Sequence, residues 1–463
     1  MFKHLLRFRD NLALFDKENK IFYKDFFKKE KEFRKEFNSK KLVLIICENK
    51  IAIFYYYMIM HLLKSSIMLI DFKMQNFEIK EILKRYEPDF LVCNLKRKKN
   101  LKINFKLFDK FRNYYIFKNP TKKKKNINNK ISILIPTSGS MGTPKFVMLS
   151  NESLQDNTEK ICNYLNIVEK DIAVTSMPLS YSYMLSVINS HISSGSSIFV
   201  TNKSILTREF WIDFKKYKIS SFNGVPYAYK IIDRLGINDL FNINVRYLTQ
   251  AGGELDVKLK KKFTIKCNKK KIKFYCMYGQ TEASPRISYL DPKLAIKKLG
   301  SIGKPLKSYK IKLLGKKNRF IVKSNEIGKL ILFGKNVFLG YATSRKDLAK
   351  ILKPKLKLNT EDYGYKDKDG FFYLTSRSRR IAKIFGFRVD ISQLEYKMKK
   401  AGFIVYCKEK NGCLKISYEK KYKKDLLIKK LSNFTNLDQS GFITNYVSKL
   451  PLNNNQKIDR NRL

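Results

Sequence analysis

The sequence predicts an α/β protein, with a large layered N-terminal part of doubly wound subdomains over residues 1–375 and a small α+β C-terminal unit over residues 376–463. Three observations carry that expectation. Apolar runs of strand length alternate with helix-length segments from Leu42 to Gln250, the order that lays a parallel sheet between helices. The 463 residues exceed what one core holds, because single cores stop growing near about 250 to 300 residues. After Ser376 the pattern changes to short apolar runs around a tight-turn dipeptide, Asn411-Gly412, which suits a hairpin.

Composition narrows the class. Hydrophobic residues make up 44% of the chain, so it is not a disordered sequence. Lysine and arginine number 96 against 40 acidic residues, a formal charge of +56. A balance that basic ordinarily points to nucleic acid or an anionic membrane surface. Here the lysines are spread over the whole chain, as solvated faces place them, and no specific nucleic-acid partner is expected. The seven cysteines are scattered without CxxC pairs, which favours a reducing, cytoplasmic setting over a zinc site or a disulfide framework. His4, His61 and His191 lie too far apart in sequence to suggest a multi-histidine metal site. Met1 to Arg9 lacks the apolar core of a signal peptide. The most apolar stretch, Ile51 to Leu63, falls short of the about 20 residues of a spanning helix. It reads as a buried core helix, and no transmembrane segment is expected.

Taken in order, Leu42 to Cys47 is a continuous apolar run, Asn49 is placed to cap a helix from Lys50 to Leu63, and Ser66 to Ile70 is apolar again. Glu78 to Tyr86 and Phe90 to Cys93 repeat that helix and strand, whereas the basic stretch Lys96 to Lys130 reads as an irregular solvated connection. Ile131 to Ile135 and Phe146 to Leu149 are strands. Ser150 or Asn151 then caps a helix whose inner face runs through Leu154, Thr158, Ile161 and Leu165. Ile172 to Met177 is a strand, Met184 to Ile192 a helix, Ser196 to Thr201 a strand, and Pro226 opens a helix at the position proline favours. Val245 to Gln250 is a further strand. In the C-terminal unit Arg380 to Phe385 reads as a strand, Ile391 to Lys400 as a helix, and Phe403 to Cys407 and Cys413 to Tyr418 as hairpin strands. A helix from Lys424 to Ser432 and an irregular tail complete it.

Between Ile135 and Phe146 lies a loop of small residues. Thr137, Ser138, Gly139, Ser140, Gly142 and Thr143 offer hydroxyls and closely approachable backbone N–H groups, Pro144 stiffens the exit and Lys145 adds a positive charge. That is the chemistry of a phosphate cradle. Neither a Walker loop nor a GxGxxG dinucleotide turn fits it. The stretch resembles the phosphate loop of the adenylate-forming superfamily, usually TSG(S/T)TGxPKGV, with Met141 where a hydroxyl residue is usual and Phe146 where glycine is usual.

Four later stretches resemble the same superfamily in the same order. QAGGE, Gln250 to Glu254, and MYGQTE, Met277 to Glu282, are similar to its adenine-binding and YGxTE segments. The resemblance implies that Gly252, Gly253, Glu254, Gly279 and Gln280 line the nucleotide, that Tyr278 stacks on adenine, that Thr281 touches the α-phosphate and that Glu282 holds Mg2+. A carboxylate is a hard oxygen ligand, and magnesium usually takes only one or two from protein. NTEDY, Asn359 to Tyr363, is similar to the TGD motif, with Asp362 on the ribose hydroxyls and Glu361 in place of glycine. SRSRRIAKIFGFRVD, Ser376 to Asp390, resembles the interdomain hinge. Arg377 matches its ribose-contacting arginine, Gly386 its thiol-tunnel glycine, and Arg379 replaces the usual pivot residue. LPLNNNQKIDR, Leu450 to Arg460, is similar to PxxxxGKxxR, which makes Lys457 the adenylation lysine, with Gln456 in place of glycine.

What the resemblance implies is an AMP-forming acid–thiol ligase of the acyl-CoA synthetase kind, as used in fatty acid metabolism. Its cofactors and substrates would be ATP, Mg2+, a small carboxylic acid and coenzyme A, or the phosphopantetheine of an acyl carrier protein. Residues 376–463 would be its mobile lid. Amino-acid-activating relatives carry an aspartate early in the helix after the PL motif. This chain has MPLSYSYMLSVINSHISSG there, and Tyr181, Tyr183, Met184 and Phe222 point to an apolar or aromatic acid. Two alternatives stay open: an amino-acid-type adenylation enzyme, and a catalytically impaired nucleotide-binding protein in which the departures at Met141, Phe146, Glu361, Arg379 and Gln456 have ended the chemistry.

Overall fold

The computed structural model describes residues 3–120, 126–137, 145–315, 318–377, 381–419 and 422–448. Two large mixed sheets, each with a parallel centre, form the body. The first has eight strands, with Ile131–Thr137, Ser66–Asp71, Leu42–Cys47 and Phe90–Asn94 running parallel at its centre. The second has nine. Its parallel run passes from Lys273–Gly279 through Tyr247–Gln250, Ser221–Gly224, Ile172–Val174 and Ser197–Phe199 to Leu12–Phe15.

The helix Ile51–Leu62 is the expected core element, with Ile51 to His61 all buried. A helix apolar on every side can only sit inside. Its tyrosines find partners there: the Tyr57 hydroxyl donates to Asn189 Oδ1 at 2.6 Å and that of Tyr56 to Asp109 Oδ2 at 2.8 Å. The N-cap position is Lys50, and Asn49 does not cap it. Ser150 does cap the helix Asn151–Leu165, its hydroxyl accepting from the Ser153 N–H at 3.0 Å, and Leu154, Thr158, Ile161 and Leu165 are buried as their spacing requires.

Two expectations are corrected. Lys96 to Lys130 is not irregular: it contains the helix Leu95–Leu101 and an antiparallel pair, Lys106–Phe111 with Tyr114–Lys118, at the edge of the eight-stranded sheet. The outer strand of that pair leaves Leu107 exposed and is broken by a bulge between Leu107 and Asp109, so it carries no clean alternation. The start of the C-terminal tail is not irregular either, because Phe442–Val447 pairs parallel with Cys413–Glu419, while residues 449–463 lie outside the described residues. Unread in the sequence was a third, antiparallel sheet of five strands, from Phe320–Ile321 to Phe372–Arg377, which holds the Asp362 strand Lys357–Lys366 beside Gly328–Phe333.

The C-terminal segment has a core of its own, formed by Ala382, Ile384, Leu394, Met398, Cys407, Leu414, Ile416, Leu427 and neighbours. It comprises a two-stranded hairpin, Ile381–Ile384 with Phe387–Asp390, the helices Ile391–Lys400 and Lys424–Thr435, and a three-stranded sheet. Asn411 and Gly412 both have positive φ, +54° and +78°, as the tight turn between its first two strands demands.

Candidate active site

The expected nucleotide residues converge at the C-terminal end of the nine-stranded sheet, the edge where ligands bind in open α/β folds. The strand Lys273–Gly279 ends there, and a turn carries Gln280, Thr281 and Glu282 before the chain reverses as Arg286–Leu290. Gly279 cannot bear a side chain, since a Cβ there would collide with the carbonyl oxygen of Pro285. That same carbonyl accepts the Gln280 N–H at 2.9 Å and closes the turn. The Thr281 hydroxyl lies 3.0 Å from that of Ser182, the first residue of the helix Ser182–Ser193.

Glu282 is 8% exposed and held at its backbone and at its side chain. Its backbone oxygen accepts from the Phe338 N–H at 2.9 Å, and its Oε1 accepts from the Tyr341 hydroxyl at 2.9 Å. The Lys145 Nζ sits 4.7 Å from the centre of the Tyr341 ring. Glu282 Oε2 is buried with no hydrogen-bond partner among the described residues. A buried acceptor left unpaired costs about 1 to 3 kcal/mol, and a hard cation on that oxygen offsets the cost. The donor set therefore fits magnesium, taken by one carboxylate with the rest of its shell from water and phosphate.

Asp362 is 1% exposed and accepts from the Tyr278 hydroxyl at 2.5 Å, so the two residues assigned to adenine and ribose touch each other. Glu361 has φ +59°, the left-handed backbone that glycine adopts freely. The substitution thus keeps the bend of the glycine it replaces, and Lys329 pairs with its carboxylate at 3.6 Å. Gly252 also has positive φ, +83°, and a side chain there would meet the Tyr181 hydroxyl. Gln250 Nε2 donates to the Gly253 oxygen at 2.8 Å, and Glu254 is exposed.

The hairpin of the C-terminal segment reaches this region. Gly386, φ +86°, lies against Val225, the Phe385 ring is 4.3 Å from that of Tyr227, and Lys383 approaches Gly253. The Arg377 backbone pairs opposite Asp362. Thr137 ends the strand entering the phosphate loop. Ser138, Gly139, Ser140, Met141 and Gly142 lie outside the described residues, as do Arg379, Gln456 and Lys457. Phe146 is fully buried and packs edge-on against Tyr86 at 5.1 Å, so this departure belongs to a core and not to the loop.

Sequence reasoning missed Tyr341, Ser182 and Arg286. Tyr341 sits on the strand Gly340–Ala342 beside Lys145–Ser150, and only this pairing, between segments almost 200 residues apart, brings it to Glu282. Arg286 was discoverable: it lies four residues past Glu282, the only charge in the strand RISYL.

Three comparisons bear on this arrangement. A probable 4-coumarate–CoA ligase 2 of Dictyostelium discoideum is 26% identical over 275 residues, 58% of this chain and 48% of that protein. The match spans about half the length of such curated relatives. An o-succinylbenzoate CoA synthetase from Bacillus subtilis, bound with its product analogue, superposes with a TM-score of 0.78 at 18% identity, covering 100% of this chain and 98% of that one. The same enzyme in complex with ATP and magnesium gives 0.66 at 18% identity over 99% and 98%. The family described as AMP-binding enzyme matches residues 5–342. This chain belongs to the AMP-binding enzyme family.

Proposed function

We propose that the chain is an ATP-dependent acid–thiol ligase. The observation that carries this reading is the gathering of Thr281, Glu282, Tyr278 and Asp362 at one sheet edge, with no partner for Glu282 Oε2 among the described residues. In the first half-reaction a carboxylate oxygen attacks the α-phosphorus of ATP, the bond to the bridging oxygen breaks, and pyrophosphate leaves. Magnesium at Glu282 supplies charge neutralisation for the triphosphate. Thr281, fixed by Ser182, orients the α-phosphate, Asp362 accepts from the ribose hydroxyls, and Lys457 bridges the two repelling anions. In the second half-reaction a thiol attacks the acyl carbon, loses its proton to solvent and expels AMP. Coenzyme A is the acceptor this reading favours, since the curated relative is a CoA ligase; a carrier-protein phosphopantetheine is the alternative.

Residues 1–375 would be the nucleotide- and acid-binding body and 376–463 the lid, turning at Arg379 between the steps, with Arg377 on the ribose and Gly386 along the thiol path. The setting is the cytoplasm, as scattered free cysteines favour.

The test is acid-dependent ATP–pyrophosphate exchange across a panel of carboxylic acids, with magnesium titrated for wild type and Glu282→Gln. Exchange with some acids, and a raised magnesium requirement in the variant, are expected. ATP binding without exchange for any acid would leave the impaired nucleotide-binding protein as the answer, and an unchanged magnesium titration would move the metal from Glu282.

A further inference from the structure

We propose that Arg286 forms an anion subsite beside Tyr183, so that the substrate carries a second negatively charged group, of which a second carboxylate is the simplest form. The inference rests on the ligase reading and extends it to the substrate class.

Arg286 is 2% exposed. Among the described residues no carboxylate pairs with it, and its Nε has no hydrogen-bond partner. The fold treats its structural arginines differently. Arg345, 7% exposed, donates to the Glu87 carbonyl at 2.7 Å and pairs with Asp89 at 3.3 Å. A guanidinium taken out of water without a counter-charge is expensive, several kcal/mol for a buried ion. Such a group is retained where something else supplies the charge.

The location says what that is. The guanidinium lies 4.2 Å over the ring of Tyr183, one residue after the Ser182 that bonds Thr281. Tyr183 thus joins the cation, along the start of one helix, to the residue that meets Thr281. The phenol cannot act as the counter-ion: burial pushes it up to about 12 even with Arg286 working against that shift, so it stays protonated. Its hydroxyl is already committed, donating to the Thr249 carbonyl at 2.9 Å. Tyr164, also beside Arg286, is pushed higher still by burial.

The backbone of Arg286 is clamped. Its N–H donates to Asn157 Oδ1 at 3.2 Å, and its carbonyl accepts from Asn157 Nδ2 at 2.8 Å and from Asn336 Nδ2 at 3.1 Å. Both asparagines are buried. The cation is therefore built in place. A planar fork of donors matches a carboxylate in two parallel hydrogen bonds. One carboxylate of the substrate reacts beside Thr281, and the other, across a short spacer lying along Tyr183, meets Arg286.

The experiment pairs acids of one skeleton with and without a second carboxylate: succinate against butyrate, glutarate against valerate, phthalate against benzoate. Wild type should prefer the diacid in exchange kcat/KM by about tenfold to a hundredfold, the scale of a charged hydrogen-bonded contact. In Arg286→Leu that ratio should collapse, and Arg286→Lys should restore part of it. Diacids should also raise the melting temperature of wild type but not of Arg286→Leu. A wild type that prefers the monoacids, or a variant that slows both members of each pair equally, overturns the inference and leaves Arg286 as a strut on Tyr183. If no acid supports exchange but diacids still stabilise wild type alone, the subsite stands and the ligase reading falls. If neither occurs, both fall.

Discussion

The body seals Phe54, Tyr56, Tyr57, Met58 and Ile59 to zero exposure within one continuous core that also takes in both large sheets. The C-terminal segment closes a small core around Leu414, Ile416 and Leu427, and its contacts with the body among the described residues include Phe385 on Tyr227, Gly386 on Val225, Lys383 near Gly253, Lys73 over Phe387 at 5.5 Å and Lys397 with Glu78 at 3.9 Å. On the proposed reading, the nucleotide residues of the body are set by dense packing and buried hydrogen bonds, and those the segment brings would be set by a contact that can be released without unfolding either part. A site divided this way would exchange one set of groups and keep the other.

The largest effect tests that division at its chemistry. Lys457→Ala should cut acyl-adenylate formation by about a hundredfold or more, the scale of losing a preorganised charge. Thioester formation from synthetic acyl-adenylate should survive; loss of both steps together would mean that the two regions do not take turns.

Acid should separate the regions next. All three histidines lie in the body. Burial lowers His61 to about 3 and also lowers His191. Unfolded histidine, near about 6.5, takes up a proton that the folded body refuses, so stability is complete above that pH. As pH falls from there toward the folded value it is lost by up to about 1.4 kcal/mol per pH unit for each such group. Hydrogen exchange between pH 7 and 5 should loosen body peptides more than those of 405–447, and His61→Gln should flatten the difference. Equal loosening would dissolve the comparison.

A smaller effect concerns the contact itself. Tyr227→Ala removes the partner of Phe385 and should lower the thiol step severalfold while adenylation changes little, since an aromatic pair contributes about 0.5 to 1.5 kcal/mol. An equal fall in both steps would place Tyr227 in the body's own machinery. Smallest is Glu361→Gly, which relieves a left-handed side chain at a strand the body holds firmly. It should raise the melting temperature slightly, on the order of 1 kcal/mol, and a fall would show that the Lys329 pair outweighs the bend.

What could be read from the chain follows its signal. The strand Leu42–Cys47 and the helix Ile391–Lys400 have the bounds their sequence predicts, because a fully buried run and an amphipathic period are local facts. The strand Lys310–Leu314 escaped because lysines on its solvent side dilute the apolar signal, and Lys106–Phe111 because a bulge breaks its alternation. Ile172–Val174 stops short of the expected Met177 because it is a strand of three residues, and its apolar continuation is loop. In the site, Glu282 and Asp362 were legible through motifs of adjacent residues. Tyr341 and Ser182 were not, since each acts through a partner far away in sequence.

Tyr341 has one more consequence. Its hydroxyl fixes one oxygen of Glu282, and the Lys145 ammonium lies over its ring, so a single side chain settles the rotamers of two others before any ligand arrives. The conformational entropy of arranging a carboxylate and an ammonium is then lost during folding and not during each encounter with nucleotide. On the proposed reading, affinity at this edge would depend on a phenol that need never touch the ligand, with a carboxylate held at its hydroxyl and an ammonium over its ring.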